Sequence, residues 1–302
     1  MLKSFKNGIK KKLRKALGIK ELEDSIKRLH NSISHESPQP LESDNITSLL
    51  IELINSSKAG SVFTCQINNM DLLAPVEILH LCPHCIHPQP DQKLTYFVET
   101  RQSDWLCSHL KSGDIAIDIG AAFGIITMAL SQAVGEQGHV YYFEPSKTAQ
   151  RIQQKLLELN NAKNVTIVNS AIADKSGTTE FIEYTSNNEL TWASDSSTLA
   201  SPTINPTMNH LRYHVDVITL DEYIMATGIN PKAIKMDIEG FELYALQGAR
   251  TTLETLHPYI CIDIHKDVKT QESALIGVEP YLLELGYRLK MEGHALYCTP
   301  AK

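Results

Sequence analysis

A chain of 302 residues, 42% hydrophobic and 21% charged, has the composition of a globular protein and enough length to bury a full core. It has no run of about 18 apolar residues, which argues against a spanning helix, and no apolar signal-peptide core follows its basic start. Six cysteines in this length do not make a disulfide scaffold, and a reduced, cytoplasmic setting fits them best. The net charge of −7 is uneven. Eight basic and no acidic residues in positions 1–20 give +8, so the remainder carries −7 − 8 = −15. An acidic body of that kind is unsuited to nucleic acid, which needs a basic face for its phosphates.

Positions 1–20 place Leu2, Phe5, Ile9, Leu13 and Leu17 at helical spacing among lysines. This composition suits a helix lying on an anionic membrane surface, and equally a solvated basic tail. Ile19, Leu22, Ile26, Leu29 and Ile33 continue as a seam of about two heptads, which admits a homodimer contact or packing against the body. Pro38 and Pro40 then mark a linker. Residues 46–54 read as a short helix, and Val62–Ile67 and Val76–Leu81 as strands. Cys82 and Cys85, with His84 and His87 nearby, have the spacing of one zinc knuckle. No second CxxC supplies the other ligand pair, so a loop with incidental thiols and imidazoles is favoured and no metal is assigned.

From Asp114 the chain alternates regularly. Asp114-Ile-Ala-Ile-Asp118-Ile reads as a buried strand running into Gly120-Ala-Ala122-Phe-Gly124 and then an apolar helix from Ile125. Strand, glycine turn and helix open a nucleotide-binding βαβ unit. Val140–Phe143, Val165–Val168, Ala233–Asp237 and Pro258–Ile264 are further core strands. Lys147–Leu159, Phe241–Leu256 and Gln271–Leu285 are the helices between them. Ala171–Ala173, Thr178–Tyr184 and Tyr213–Ile218 are additional β segments, and Thr219 to Glu222 has capping-box spacing. A hairpin around Glu292-Gly293 closes the pattern, with an antiparallel final strand at the edge. The fold class is therefore α/β, a doubly wound Rossmann-like sheet over 92–302, preceded by a helical extension (1–40) and an accessory segment (41–91). Residues 185–210, rich in Ser, Thr, Asn and Pro, interrupt the alternation and read as a lid.

The glycine turn lacks G-x-G-x-x-G: Ala122 and Ile125 stand where a pyrophosphate cradle needs glycine. That argues against a dinucleotide and leaves a ribose-bearing ligand without phosphates. Glu144, twenty-six residues after Asp118, ends the second strand where an acid can accept both ribose hydroxyls. Asn169-Ser170-Ala171 ends the third, where small residues could meet an adenine or simply turn the chain. Asp237, Glu239 and Glu242 put three carboxylates at the carboxyl end of a central strand, where open α/β sheets bind ligands. Helix capping could explain Glu239 and Glu242 but not Asp237, which is still on the strand.

These segments resemble the FkbM-type family of S-adenosylmethionine-dependent methyltransferases over about residues 97–290. The resemblance rests on Asp118-Ile-Gly120-Ala-Ala-Phe-Gly124, Phe143-Glu144-Pro145, Ala171-Ile-Ala-Asp174 with Gly177, and Lys235-Met-Asp237-Ile-Glu239-Gly240. Leu246-Gln-Gly248-Ala249 and Leu285-Gly286-Tyr287 extend it. Two positions depart: the family usually has Asn at Ala122, and often Glu-x-His where this chain has Asp263-Ile-His265. The resemblance implies S-adenosylmethionine as cofactor, held by Asp118, Gly120, Ala122, Phe123, Gly124, Glu144, Pro145, Ser170 and Ala171. It implies methyl transfer to a hydroxyl of a sugar, glycan or secondary metabolite. Asp237, Glu239 and His265 are the candidate catalytic residues, with a divalent cation on Asp237 and Glu239 as the other use of those acids. A non-catalytic or other nucleotide-binding protein, recruited to membrane glycan machinery by the basic start, is the competing reading.

Overall fold

A computed structural model describes residues 60–81, 85–88, 94–185, 198–199 and 209–301. The expectations for 1–54, for Cys82 and His84, and for most of the 185–210 lid lie outside these residues. In chain order the elements are β1 (Val62–Ile67), β2 (Met70–Pro75), α1 (Val76–Leu81), β3 (Ile86–Pro88), β4 (Leu94–Tyr96), α2 (Thr100–Ser108), β5 (Ile115–Ile119), α3 (Ile125–Val134), β6 (His139–Phe143), α4 (Lys147–Asn160) and β7 (Val165–Val168). There follow β8 (Ser170–Ile172), β9 (Gly177–Thr185), β10 (Thr198–Leu199), β11 (Asn209–Ile218), α5 (Leu220–Thr227), β12 (Pro231–Met236), α6 (Glu242–Gln247), α7 (Arg250–Leu256), β13 (Tyr259–Asp263), α8 (Leu275–Glu284), β14 (Tyr287–Glu292) and β15 (Ala295–Pro300). No helix among them is long and apolar enough to cross a membrane.

Seven strands form the central sheet in the order β14-β15-β13-β12-β5-β6-β7. β5, β6, β7, β12 and β13 are parallel, and β15 runs antiparallel to both β13 and β14. The hairpin expected at 287–298 is present, but its antiparallel strand is not at the edge. β15 inserts between β13 and β14, and its Ala295–Cys298 segment is buried. The strand order reverses between β5 and β12, which opens a crevice beyond their carboxyl ends.

The two faces of this sheet differ in chemistry. Ile117, Ile119, Ile234, Met236, Ile260 and Ile262 point into one apolar cluster with Ala245, Leu246, Leu253, Val278 and Leu282. The intervening positions Ala116, Ala233 and Cys261 are small and pack in the other cluster with Leu106 of α2 and the apolar residues of α3. The next row on that face is charged: Asp118 and Lys235 are register partners, and Asp263 lies two residues beyond Cys261, the other register partner of Lys235.

Two smaller sheets flank it. β2-β1-β4-β3 shares its apolar cluster with α3 and α4. Here Val76–Leu81 is helix and not the expected strand, because β1 pairs with β2 instead. Asn68 and Asn69, both at positive φ (45° and 63°), make the two-residue turn between them, an Asn-rich signal for a tight hairpin. The second small sheet, β10-β9-β11-β8, collects the β segments of 170–218 outside the central sheet. The helix expected over 241–256 is two helices broken at Gly248. A Cβ there would lie 2.0 Å from the Ala173 carbonyl oxygen, and α7 starts afresh with Asp221 accepting from the Thr251 and Thr252 amides, each at 2.8 Å.

Candidate functional site

The glycine turn leaves β5 through left-handed backbone at Gly120 (φ 76°), Ala122 (45°) and Gly124 (79°). Gly120 is required by proximity as well, since its Cβ would stand 1.7 Å from the Asp237 carbonyl oxygen across the crevice. Ala122 is exposed and in a conformation that costs an L-residue about 1–2 kcal/mol. Its backbone is held from both sides: the amide donates to Glu144 Oε2 at 3.0 Å, and the Gln153 amide donates to its carbonyl. Phe123 turns inward and is buried in the apolar cluster with α3 and α4.

Glu144 lies at the tip of β6, almost fully buried, with Oε1 accepting from the Ser146 amide at 2.8 Å. Burial pushes its carboxyl up to about 7, against the pull of the Ser146 and Ala122 N–H groups. Pro145 is half-buried, and Ser146 caps α4 by accepting from the Ala149 amide at 3.1 Å. Asp118 is fully buried; Thr127 donates to one oxygen at 2.7 Å, and the other has no partner among the described residues. Burial raises its carboxyl, opposed by Lys235. Ser170 opens β8 opposite Asp216, with Ala171 buried beside it.

Across the crevice the chain brings together Asp237, Glu239 and His265. Glu239 takes φ 53°, and Gly240 follows at φ 100° with no room for a Cβ, which would sit 2.2 Å from the Lys266 carbonyl oxygen. This tight turn carries the Asp-x-Glu-Gly sequence. His265 Nδ1 bonds Glu242 Oε1 at 2.8 Å, while Nε2 lies 3.6 Å from Asp237 and 3.9 Å from Glu239. Glu242 is fully buried in the first turn of α6 and also accepts from the Gly240 amide at 3.0 Å. Burial alone would lower the imidazole. The bond to Glu242 and the charges of Asp237 and Glu239 outweigh it and raise His265 to about 9. It is therefore an imidazolium at neutral pH.

Three further residues, absent from the sequence assignment, complete the crevice floor. Lys235 is buried, with Nζ 3.2 Å from Glu99, 3.5 Å from Asp237 and 3.4 Å from the Gly120 carbonyl oxygen. Burial works against its charge, but Glu99, Asp237, Asp118 and Asp263 hold it protonated. Glu99 leads into α2 from a left-handed residue (φ 54°). Burial pushes its carboxyl up to about 8 against Lys235, with Asp237 and Asp263 adding to the rise. Asp263 accepts from Gln102 of α2 at 3.4 Å. A lysine between Ile234 and Met236 in a buried strand is itself a signal, since unpaired lysines are almost never buried. Glu99 carries no such signal.

Ligand atoms of Asp237, Glu239 and His265 lie within 4.8 Å of one another, as do those of Glu99, Asp237 and Asp263. The spacing would suit a cation, whose binding at the first group would displace the imidazole proton. In the Cys82–His87 stretch, Cys85 is a free thiol buried in the apolar core.

A model of the methyltransferase FkbM domain matches residues 118–289. No curated protein matches the chain. Among solved structures, the methyltransferase FkbM from Methylobacillus flagellatus KT aligns at 18% identity and TM-score 0.43, over 66% of this chain and 51% of that one, so this chain spans about half its length. A SAM-dependent methyltransferase from Aquifex aeolicus aligns at 17% identity and TM-score 0.39, over 67% of this chain and 89% of that one. With the family model matched across more than half of its residues, from Asp118 in β5 into the edge strand β14, the chain belongs to the FkbM methyltransferase domain family.

Proposed function

We propose that this protein transfers a methyl group from S-adenosylmethionine to a hydroxyl of a sugar, glycan or secondary metabolite. The observation that carries the reading is the bond from the Ala122 amide of the strained turn to Glu144 at the tip of β6, next to the strand-order reversal between β5 and β12. The residues fit such a cofactor. The Glu144 carboxylate can accept ribose hydroxyls, and the buried unpartnered oxygen of Asp118 offers a further acceptor. Gly120 and Gly124 leave both ends of the turn without a side chain, Pro145 follows the tip of β6, and Ser170 and Ala171 open β8 just after β7. An electron-rich, acid-lined crevice also favours a cationic sulfonium.

The bound cofactor supplies an activated methyl group, and the protein supplies alignment and proton removal. Alignment of acceptor oxygen, methyl carbon and sulfur carries most of the rate. Asp237 and Glu239 are the proton acceptors, a role worth about a hundredfold or more. His265, charged and tied to Glu242, serves as their oriented counter-ion and not as a base at neutral pH. We assign the basic residues 1–20 to contact with an anionic membrane surface near the acceptor.

Calorimetric titration with S-adenosylhomocysteine tests the cofactor half. Micromolar binding by the wild type, lost in Glu144→Ala, is the expected result; a wild type that does not bind overturns the reading. Methyl-labelled cofactor offered with a panel of glycans and hydroxylated metabolites then separates a catalyst from a non-catalytic relative.

A further inference from the structure

The second small sheet contains a buried acid that the crevice chemistry does not use. Glu183 on β9 is 1% exposed, and one of its carboxylate oxygens has no partner among the described residues. An acid so placed is costly unless something exploits it. Its other oxygen accepts from the Tyr213 hydroxyl of β11. Tyr213 is the register partner of Phe181, so Glu183 and Tyr213 are diagonal neighbours on one face. The same hydroxyl accepts from the Lys147 amide at 3.1 Å, and the Lys147 ammonium lies 4.5 Å above the Tyr213 ring. Lys147 is the first residue of α4 and follows Ser146, whose amide and hydroxyl hold Glu144 and the helix start. The small sheet therefore grips the helix one residue away from the group that orients Glu144.

We propose that Glu183 and Tyr213 are positioning residues for Glu144, so that a sheet separate from the central one sets the strength and the pH range of cofactor binding. This rests on the assignment of Glu144 to the cofactor. Tyr213 fixes the position of the α4 N-terminus, and with it the Ser146 amide. Glu183 places a second negative charge near Glu144 and makes its ionised form harder to reach. The charged and titratable groups around Glu144 are Asp118 from β5, Tyr142 from β6, Lys147 from α4, Glu183 from β9 and Tyr213 from β11. Of the acids, burial aside, Glu183 and Asp118 both raise the Glu144 carboxyl.

The test is S-adenosylhomocysteine affinity by calorimetry from about pH 5.5 to 8.5, a span that brackets the raised Glu144 carboxyl. It is run on the full chain as wild type, Glu183→Gln, Tyr213→Phe and Arg212→Ala. Arg212 sits on the same strand but makes an exposed pair with Glu180, which makes it the control. Wild-type affinity should rise through about pH 7 and then level. Glu183→Gln keeps the acceptor for Tyr213 and should move that midpoint down by about half a pH unit or more, with affinity at pH 8.5 nearly unchanged. Tyr213→Phe should weaken binding about three- to tenfold at every pH, the loss expected for one buried hydrogen bond. A Glu183→Gln midpoint equal to wild type overturns the role of Glu183, and Tyr213→Phe binding like Arg212→Ala overturns that of Tyr213. If Tyr213→Phe fails to fold, the Glu183→Gln midpoint decides alone. Absence of binding by the wild type overturns the cofactor assignment and this proposal with it, a result distinct from binding with an unmoved midpoint.

Discussion

On one face of the central sheet, β5, β12 and β13 present Ile117, Ile119, Ile234, Met236, Ile260 and Ile262 to apolar residues of α6, α7 and α8. On the other, the same strands present Ala116, Ala233 and Cys261 and then Asp118, Lys235 and Asp263. The small row lets α2 approach closely enough for Glu99 and Gln102 to reach the charged row. The aliphatic face contributes stability through area and packing, which tolerate volume-conserving change. The charged face contributes little net stability, because desolvation offsets the attraction, but its members cannot be removed singly. Alternation along a strand has thus divided holding the sheet together from gathering charge beside the crevice.

The largest expected effect breaks the charged face. Lys235→Met should destabilise by about 3–5 kcal/mol in urea unfolding at pH 7, since it strands buried acids without a counter-charge. Adding Glu99→Gln to it should recover part of that loss. On the opposite face, Ile262→Ala should cost about 2–5 kcal/mol with S-adenosylhomocysteine affinity retained, and no second truncation should rescue it. Lys235→Met costing less than about 1 kcal/mol would erase the contrast.

A smaller effect sharpens it through pH. His265 is raised to about 9 and so binds its proton more tightly folded than unfolded. Its stabilisation is fully present below the ordinary histidine value near 6.5 and is lost as pH rises through about 9. The melting temperature of His265→Gln should therefore trail the wild type most at pH 6 and converge with it above pH 9. A constant gap would show that the imidazole contributes by packing alone. The smallest effect concerns the turn. Ala122→Asn places a residue tolerant of left-handed backbone at φ 45° and should stabilise by about 0.5–1 kcal/mol in thermal unfolding, with cofactor affinity not reduced.

Much of this was legible in the sequence because it is local. Periodicity revealed β5, β6, β7, β12 and β13, and spacing placed Asp118, Glu144, Asp237 and Glu239 at strand tips. The triad's third member, His265, also sits where the strand pattern put it, although its charge state depends on Glu242, which read equally well as a helix cap. What stayed hidden depends on distant pairing. The 287–298 hairpin is visible as a turn between apolar runs, but nothing local says that β15 pairs with β13 on its far side. The β segments of 170–218 alternate as strands should, and alternation does not name a partner sheet. Lys235, a lysine in an apolar strand, carries a local signal, whereas Glu99 is tied to the site only by the way α2 lies across the sheet. At Val76–Leu81, apolar residues alone do not separate a helix from a strand; the hairpin at Asn68-Asn69 decides it by pairing β1 with β2.

The left-handed residues occur on both rims of the crevice: Gly120, Ala122 and Gly124 on one, Glu239 and Gly240 on the other. Neighbouring carbonyl groups leave no space for even one added carbon at Gly120 and Gly240. Those positions are closed to almost every mutation on grounds of backbone alone, whatever happens to the chemistry. Variation in what the crevice accepts must therefore arise in segments that these two glycines do not constrain.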